Sequence, residues 1–243
     1  MNHQKSCCRQ EWINGFFLMI LVLWPASFSQ AADEWSSIQG MVKVLDRNGT
    51  PKNDYSGVVV FLDDLKGAPA VVPSGEKAVI RQVDKRFIPK VLPVLAGTAV
   101  EFPNDDVIYH NVFSLSKAKT FDLGIYAKGS SKSVTFDNPG LVKIYCNIHP
   151  QMVAYILVLA NPYFAMTDRD GRFKLENVPA GEATVRTWYP GASRHPEKRV
   201  IVTPQGIRDL DLTLVEDVRL QIQEETISVE HKNKWGQDYP AKY

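Results

Sequence analysis

The sequence predicts an all-β protein of many short strands. Short stretches rich in Val, Ile, Leu and Phe recur along the chain, several with strict alternation of apolar and polar side chains. The 15 glycines and 15 prolines are spread between those stretches instead of being gathered in one linker, as many short strands joined by turns require. Within the densest β region, from Ala78 to Leu159, no run has the longer period of an amphipathic helix.

A chain of 243 residues suits one large or two small domains. Residues 1–31 stand apart. Lys5 and Arg9 precede the apolar run from Phe16 to Trp24, and Ser29-Gln30-Ala31 is a small-x-small cleavage pattern. The segment reads as a secretory signal peptide cut near Ala31 or Ala32. A retained anchor would need about 20 apolar residues, more than this run offers. A periplasmic or secreted protein is therefore expected, with no stable membrane span after cleavage. Cleavage removes Lys5, Arg9 and Glu11 from totals of 28 basic and 27 acidic residues, leaving the two signs equal. Such a balance points to no nucleic acid and no strongly charged partner. Cys7 and Cys8 leave with the signal, so Cys146 remains alone and cannot form an internal disulfide.

The elements follow in order. Residues 35–66 hold two early strands: Val42 and Val44 alternate with Lys43, Asp46-Arg47-Asn48-Gly49 makes a turn, and Val58 to Leu62 follows. A linker with Gly67, Pro69, Pro73 and Gly75 leads to a block over residues 74–160. Ala78 to Val83 reads as a strand. The stretch from Phe87 to Val94 is placed at a sheet edge by Pro89 and Pro93. Further strands are read at Ala99–Phe102, His110–Ser114, Ser133–Phe136 and Leu141–Cys146. Val153 to Leu159 is almost continuously apolar, which fits a central strand buried on both faces. Residues 161–215 continue with a hairpin turn at Asp168-Arg169-Asp170-Gly171, a second turn at Val178-Pro179-Ala180-Gly181, and strands at Ala183–Trp188, Lys198–Val202 and the alternating Leu210, Leu212 and Leu214. Asp168 and Asp170 read as turn residues, not as a calcium loop. In the polar tail, 216–243, Ile222, Ile227 and Val229 suggest one more strand, and order beyond Glu230 is expected only where Trp235, Tyr239 or Tyr243 docks on a neighbour.

The chemistry gathers in Tyr145-Cys146-Asn147-Ile148-His149-Pro150-Gln151-Met152, where a thiol, an imidazole and a thioether follow at intervals of three. A second imidazole, His110, stands upstream in Phe102-Pro103-Asn104-Asp105-Asp106-Val107-Ile108-Tyr109-His110-Asn111. Taken singly, Cys146 is a small buried hydrophobe, His149 a turn residue and Met152 core filling. Together they offer the soft donors that select copper: two imidazoles, one thiolate and a weak axial thioether, the set of a blue-copper electron-transfer site. Cys146 ends one strand and Met152 opens the next, so the sheet holds both ends of the loop. Pro150, Met152 and nearby apolar side chains are expected around an exposed edge of His149. Asp122, Lys117 and Lys119, near Phe121, read as solvated loop charges. His195 and His231 lack companion ligands and read as surface residues.

These motifs resemble the cupredoxins, and the short Cys-x-x-His-x-x-Met loop is most similar to that of the amicyanins. The likeness covers residues 77–160, and the wider chain is similar to large plastocyanin-like proteins of the methylamine-utilisation type. It implies a Greek-key β-sandwich with one type 1 copper held by His110, Cys146, His149 and Met152. It also implies that Asn111 steadies the ligand loop by hydrogen bonding, and that Asn104 matches a strand position before the first ligand. The chain departs from small cupredoxins in its extra module and its long insert between His110 and Cys146. Residues 161–215 resemble the transthyretin-like fold of carboxypeptidase regulatory domains, and the early strands with the Gly49-Thr50-Pro51 turn resemble that module's opening. Two arrangements are open: the copper domain is inserted into the module, or the early strands belong to the copper domain. The expected function is single-electron transport through Cu(I)/Cu(II) cycling with transient redox protein partners, not enzymatic turnover. The alternative is an envelope binding module, with possible envelope or glycan contact through the transthyretin-like part, whose copper is structural, stored or delivered.

Overall fold

A computed structural model describes residues 35–65, 73, 75–217 and 219. The proposed signal segment, most of the linker, the tail strand and the tail aromatics lie outside the described residues. The secondary structure is all strand. Its first half comprises β1 (Trp35–Leu45), β2 (Val59–Asp63), β3 (Ala78–Val79), β4 (Arg81–Val83), β5 (Arg86–Ile88), β6 (Val91–Leu95), β7 (Thr98–Pro103), β8 (His110–Ser116) and β9 (Lys119–Tyr126). Then come β10 (Ser131–Phe136), β11 (Gly140–Tyr145), β12 (Val153–Leu159), β13 (Phe164–Met166), β14 (Arg172–Pro179), β15 (Gly181–Trp188), β16 (Ala192–Arg194), β17 (Glu197–Val202) and β18 (Ile207–Glu216).

Four sheets carry most of these strands. Their orders are β14-β1-β18-β16, β13-β2-β15-β17, β10-β7-β3 and β6-β12-β11-β8-β9, with β4-β5 a separate hairpin. In the first two sheets the early strands pair with late ones: β1 lies between β14 and β18, and β2 between β13 and β15. One core, including Ile38, Val42, Val60, Leu62, Leu175, Val185 and Leu214, joins these two sheets. A second core, including Val100, Phe102, Phe136, Val142, Ile144 and Ile156, joins the other two.

Alternation shows how the layers meet. All seven residues of β12 are buried. Ala154, Ile156 and Val158 point into the second core, while Val153, Tyr155, Leu157 and Leu159 point the other way. That other side is a third apolar cluster, shared with Val59, Phe61, Phe164 and Trp188 from β2, β13 and β15. The five-stranded sheet is thus covered on both faces at β12, which is why this strand reads as an uninterrupted apolar run and not as an alternating one. Similarly, β2 sends Val60 and Leu62 into the first core and Val59 and Phe61 into the third. Pro93 sits on β6, at the edge of its sheet, where a missing N–H leaves no ladder bond broken on the open side.

Two glycines are fixed by space and conformation. Gly171 turns β13 into β14 with φ +83°, and its N–H bonds to the Asp168 carbonyl at 2.9 Å, as expected of an ordinary turn. Gly40 lies where β1 shifts register against β18, and a Cβ there would stand 2.1 Å from the Leu210 carbonyl oxygen. Gly40→Ala must push two backbones apart. It should lower stability by about 1–3 kcal/mol, read as an earlier urea midpoint with an unchanged slope.

Candidate metal centre

The strands bring the distant residues together. His110 opens β8, and β8 lies beside β11, with Phe113 opposite Tyr145. Cys146 directly follows β11 and Met152 directly precedes β12, and these strands pair with Tyr145 opposite Val153. The loop between them therefore leaves and re-enters the ladder at a single rung. Within it the Met152 N–H donates to the His149 carbonyl at 2.9 Å, closing a turn that lifts His149.

Three donor atoms converge. Cys146 Sγ lies 3.9 Å from His110 Nδ1 and 3.9 Å from His149 Nδ1, and the two Nδ1 atoms are 3.1 Å apart. The point equidistant from all three lies about 2.1 Å from each, the length of imidazole and thiolate bonds to a first-row metal ion (about 2.0–2.3 Å). Among the described residues this is a group of His and Cys able to share one ion. Cys146 and His110 are buried, and His149 is partly exposed beside exposed Pro150.

His110 is held in the ligating tautomer. Its Nε2 lies 2.7 Å from Asp106 Oδ2. An ionised carboxylate only accepts, so Nε2 carries the proton and the Nδ1 lone pair faces Cys146 and His149. The same carboxylate accepts the Asp84 N–H at 2.7 Å and the Lys85 N–H at 2.9 Å. Those residues form the β4–β5 turn with φ of 50° and 55°. Asp106 thereby ties a hairpin turn to the loop that delivers His110. Asn104, fully buried, organises that loop: its side chain accepts the Asp106 N–H at 3.0 Å and donates to the Ile108 and Tyr126 carbonyls at 2.9 and 3.0 Å.

Asn111 steadies the other side. Its N–H points at Cys146 Sγ from 3.5 Å, and its side-chain oxygen accepts the Asn147 side-chain amide at 2.8 Å. Its own amide donates to Asp122 Oδ1 at 2.8 Å, which also accepts the Gly124 N–H at 2.8 Å.

The electrostatics follow from burial. Burial pushes the Cys146 thiol up, while N–H groups of Asn111, Ile148 and His149 favour the thiolate. Burial, with His110 and Lys85 adding to it, lowers His149 and so favours the neutral imidazole that a metal requires. Burial works against ionisation of Asp106, but the Lys85 N–H, His110 and the Asp84 N–H outweigh it and hold the carboxyl below its ordinary range.

The structure thus brings His110, Cys146 and His149 together, and places Asn104 and Asn111 against them. Met152 lies in the same core cluster as Cys146 but is only 1% exposed, so it is not part of the surface around His149. The apolar side chains exposed on the loop before His110 are Val107 and Tyr109. Asp122 is exposed, as expected of a solvated charge, but it lies on strand β9 and not in a loop, and it braces Asn111. His195 is exposed and stacks on Trp188. His231 lies outside the described residues. Asp106 carries a role not assigned to it from the sequence. Its position four residues before His110 was visible there, but only the loop's fold shows which oxygen meets which nitrogen.

Groups that orient a metal-binding imidazole are worth about 10–100-fold in affinity. Asp106→Ala should therefore weaken metal binding by that order in a chelator competition titration, with Asp106→Asn retaining part of it. Affinity equal to that of the parent would remove Asp106 from the centre.

No family model and no curated protein matches the chain. Among solved structures it is similar to a copper-containing nitrite reductase from Thermus scotoductus SA-01, with 30% identity and a TM-score of 0.34 over 39% of this chain and 24% of that one. The chain thus spans about a quarter of that enzyme. A purple cupredoxin from Nitrosopumilus maritimus matches at 26% identity and a TM-score of 0.31, over 34% of this chain and 99% of that one. Amicyanin from Paracoccus versutus matches at 22% identity and a TM-score of 0.33, over 42% of this chain and 97% of that one.

Proposed function

We propose that the chain is an exported electron carrier with one type 1 copper, held by His110, Cys146, His149 and Met152. The observation that carries this reading is the convergence of two imidazole Nδ1 atoms and one thiolate sulfur on a single point. Bound copper would supply a one-electron couple. The protein's part is to hold the donors still. The ladder beside the loop, the Asp106 clamp and the Asn111 network resist rearrangement of the ligands, and small rearrangement favours rapid electron exchange.

Met152 serves as the weak fourth donor. Its burial in the core cluster that also holds Cys146 supports that role. A filled fourth position would leave no place for a substrate, so we read the centre as one that transfers electrons and turns nothing over. His149, partly exposed next to Pro150, offers the edge where a transient redox partner docks. We read residues 74–160 as a cupredoxin domain inserted into a transthyretin-like module of residues 35–66 and 161–215. The pairing of β1 and β2 with late strands supports this. Export rests on the signal-like segment 1–31. Among the described residues no helix is long and apolar enough to cross a membrane.

Loading with Cu(II) should produce an intense visible thiolate-to-copper band that reductant bleaches reversibly. Cys146→Ser should abolish the band, and Met152→Leu should keep it while changing the reduction potential. A pale complex unaltered by Cys146→Ser would sink the electron-carrier reading and favour a storage or structural site.

A further inference from the structure

The third apolar cluster, between the five-stranded sheet and the β13-β2-β15-β17 sheet, contains an aromatic row that begins at the metal-binding cysteine. Tyr145 is peptide-bonded to Cys146 and faces this cluster. Lys143 stands opposite Tyr155 and Tyr145 opposite Val153 across β11 and β12, so the two tyrosines are diagonal neighbours on one face, within reach of aromatic side chains. Tyr155 is fully buried, and its ring centroid lies 5.3 Å from that of Trp188 on β15. Trp188 in turn stacks on His195, with centroids 6.3 Å apart and planes 15° from parallel. His195 is exposed.

Packing alone would be met by Leu or Phe at these positions. Phe113 shows this, lying 5.7 Å from Tyr145 in the same cluster. Phenol and indole are the aromatic side chains most easily oxidised by one electron. Here they occupy each step between the Cys146 sulfur and the surface at His195, which belongs to a different pair of sheets from the His149 loop.

We propose that Tyr145, Tyr155, Trp188 and His195 form a second electron port, through which the centre discharges a strong one-electron oxidant arriving at the His195 face. This rests on the electron-transfer reading of the His110, Cys146 and His149 group. The oxidant takes one electron from the Trp188 indole, leaving a radical cation. An electron from the reduced centre refills the indole by way of Cys146, Tyr145 and Tyr155. The net change is one electron lost by the centre and one gained by the oxidant. No bond is made or broken, and the oxidant never touches the thiolate.

The test uses the full chain with His3→Gln and His231→Gln, carrying a ruthenium–bipyridine photo-oxidant on the His195 imidazole. In metal-free protein a flash should generate the transient absorption of a tryptophan radical, and Trp188→Phe should remove it. In protein loaded with Cu(I), the radical should decay as the visible copper–thiolate band grows in. Trp188→Phe should slow that growth on the order of tenfold. Tyr155→Phe, which keeps the ring and its packing, should leave the radical and slow only its refilling. Absence of the radical, or band growth equally fast in both variants, overturns the port and leaves the row as packing between sheets. Absence of any copper–thiolate band in the parent protein overturns the electron-transfer reading itself, and the port with it.

Discussion

Burying a β-strand on both faces removes the freedom to slip by one residue, because each register places a different set of side chains in each core. β12 is such a strand, and the rest of the structure depends on it. One set of its side chains packs with Cys146 and Met152 in the core between the five- and three-stranded sheets. The other set packs against β2, β13 and β15, strands that precede and follow the five-stranded sheet in the chain. A slip would move Tyr155 into one core and Ile156 into the other. The ends of the Cys146–Met152 loop are therefore set by apolar packing several rungs away.

On that frame the centre is stabilised by satisfying groups that burial would otherwise penalise. An imidazole with no exposure costs free energy unless its N–H is paired, and Asp106 pairs it. The carboxylate in turn is stabilised by two turn N–H groups, and Asn104 fixes the backbone that carries it. On the opposite side Asn111 spans Cys146, Asn147 and Asp122. The sulfur and the His110 Nδ1 are thus held by contacts on their outer sides, and the turn closed by the Met152 N–H brings the His149 Nδ1 to them.

Much of this was legible in the sequence because it is periodic or spaced. The apolar run at Val153–Leu159, the edge proline Pro93 and the turn at Asp168–Gly171 follow from local rules, whereas Pro89 lies between β5 and β6 and on neither strand. So does the expectation that Cys146 and His149 share a loop end with His110. Side-chain partners were less legible. Asp106 and Asp122 look like any acidic residue next to a turn, and their roles come from non-local hydrogen bonds to His110 and Asn111. β9 was not foreseen because it borders its sheet and its residues lie mostly between exposed and half-buried, leaving no strong apolar signal. From the sequence, Met152 is expected among the apolar side chains around the exposed edge of His149. Its position one residue before a doubly buried strand draws it inside.

If the three atoms of the preformed site hold one copper ion in both oxidation states, X-ray absorption of the copper-loaded protein should show one short copper–sulfur bond and two imidazole nitrogens, with distances nearly unchanged between the oxidised and reduced protein. A shell of oxygen and nitrogen alone, or a change of ligand set on reduction, would contradict that reading.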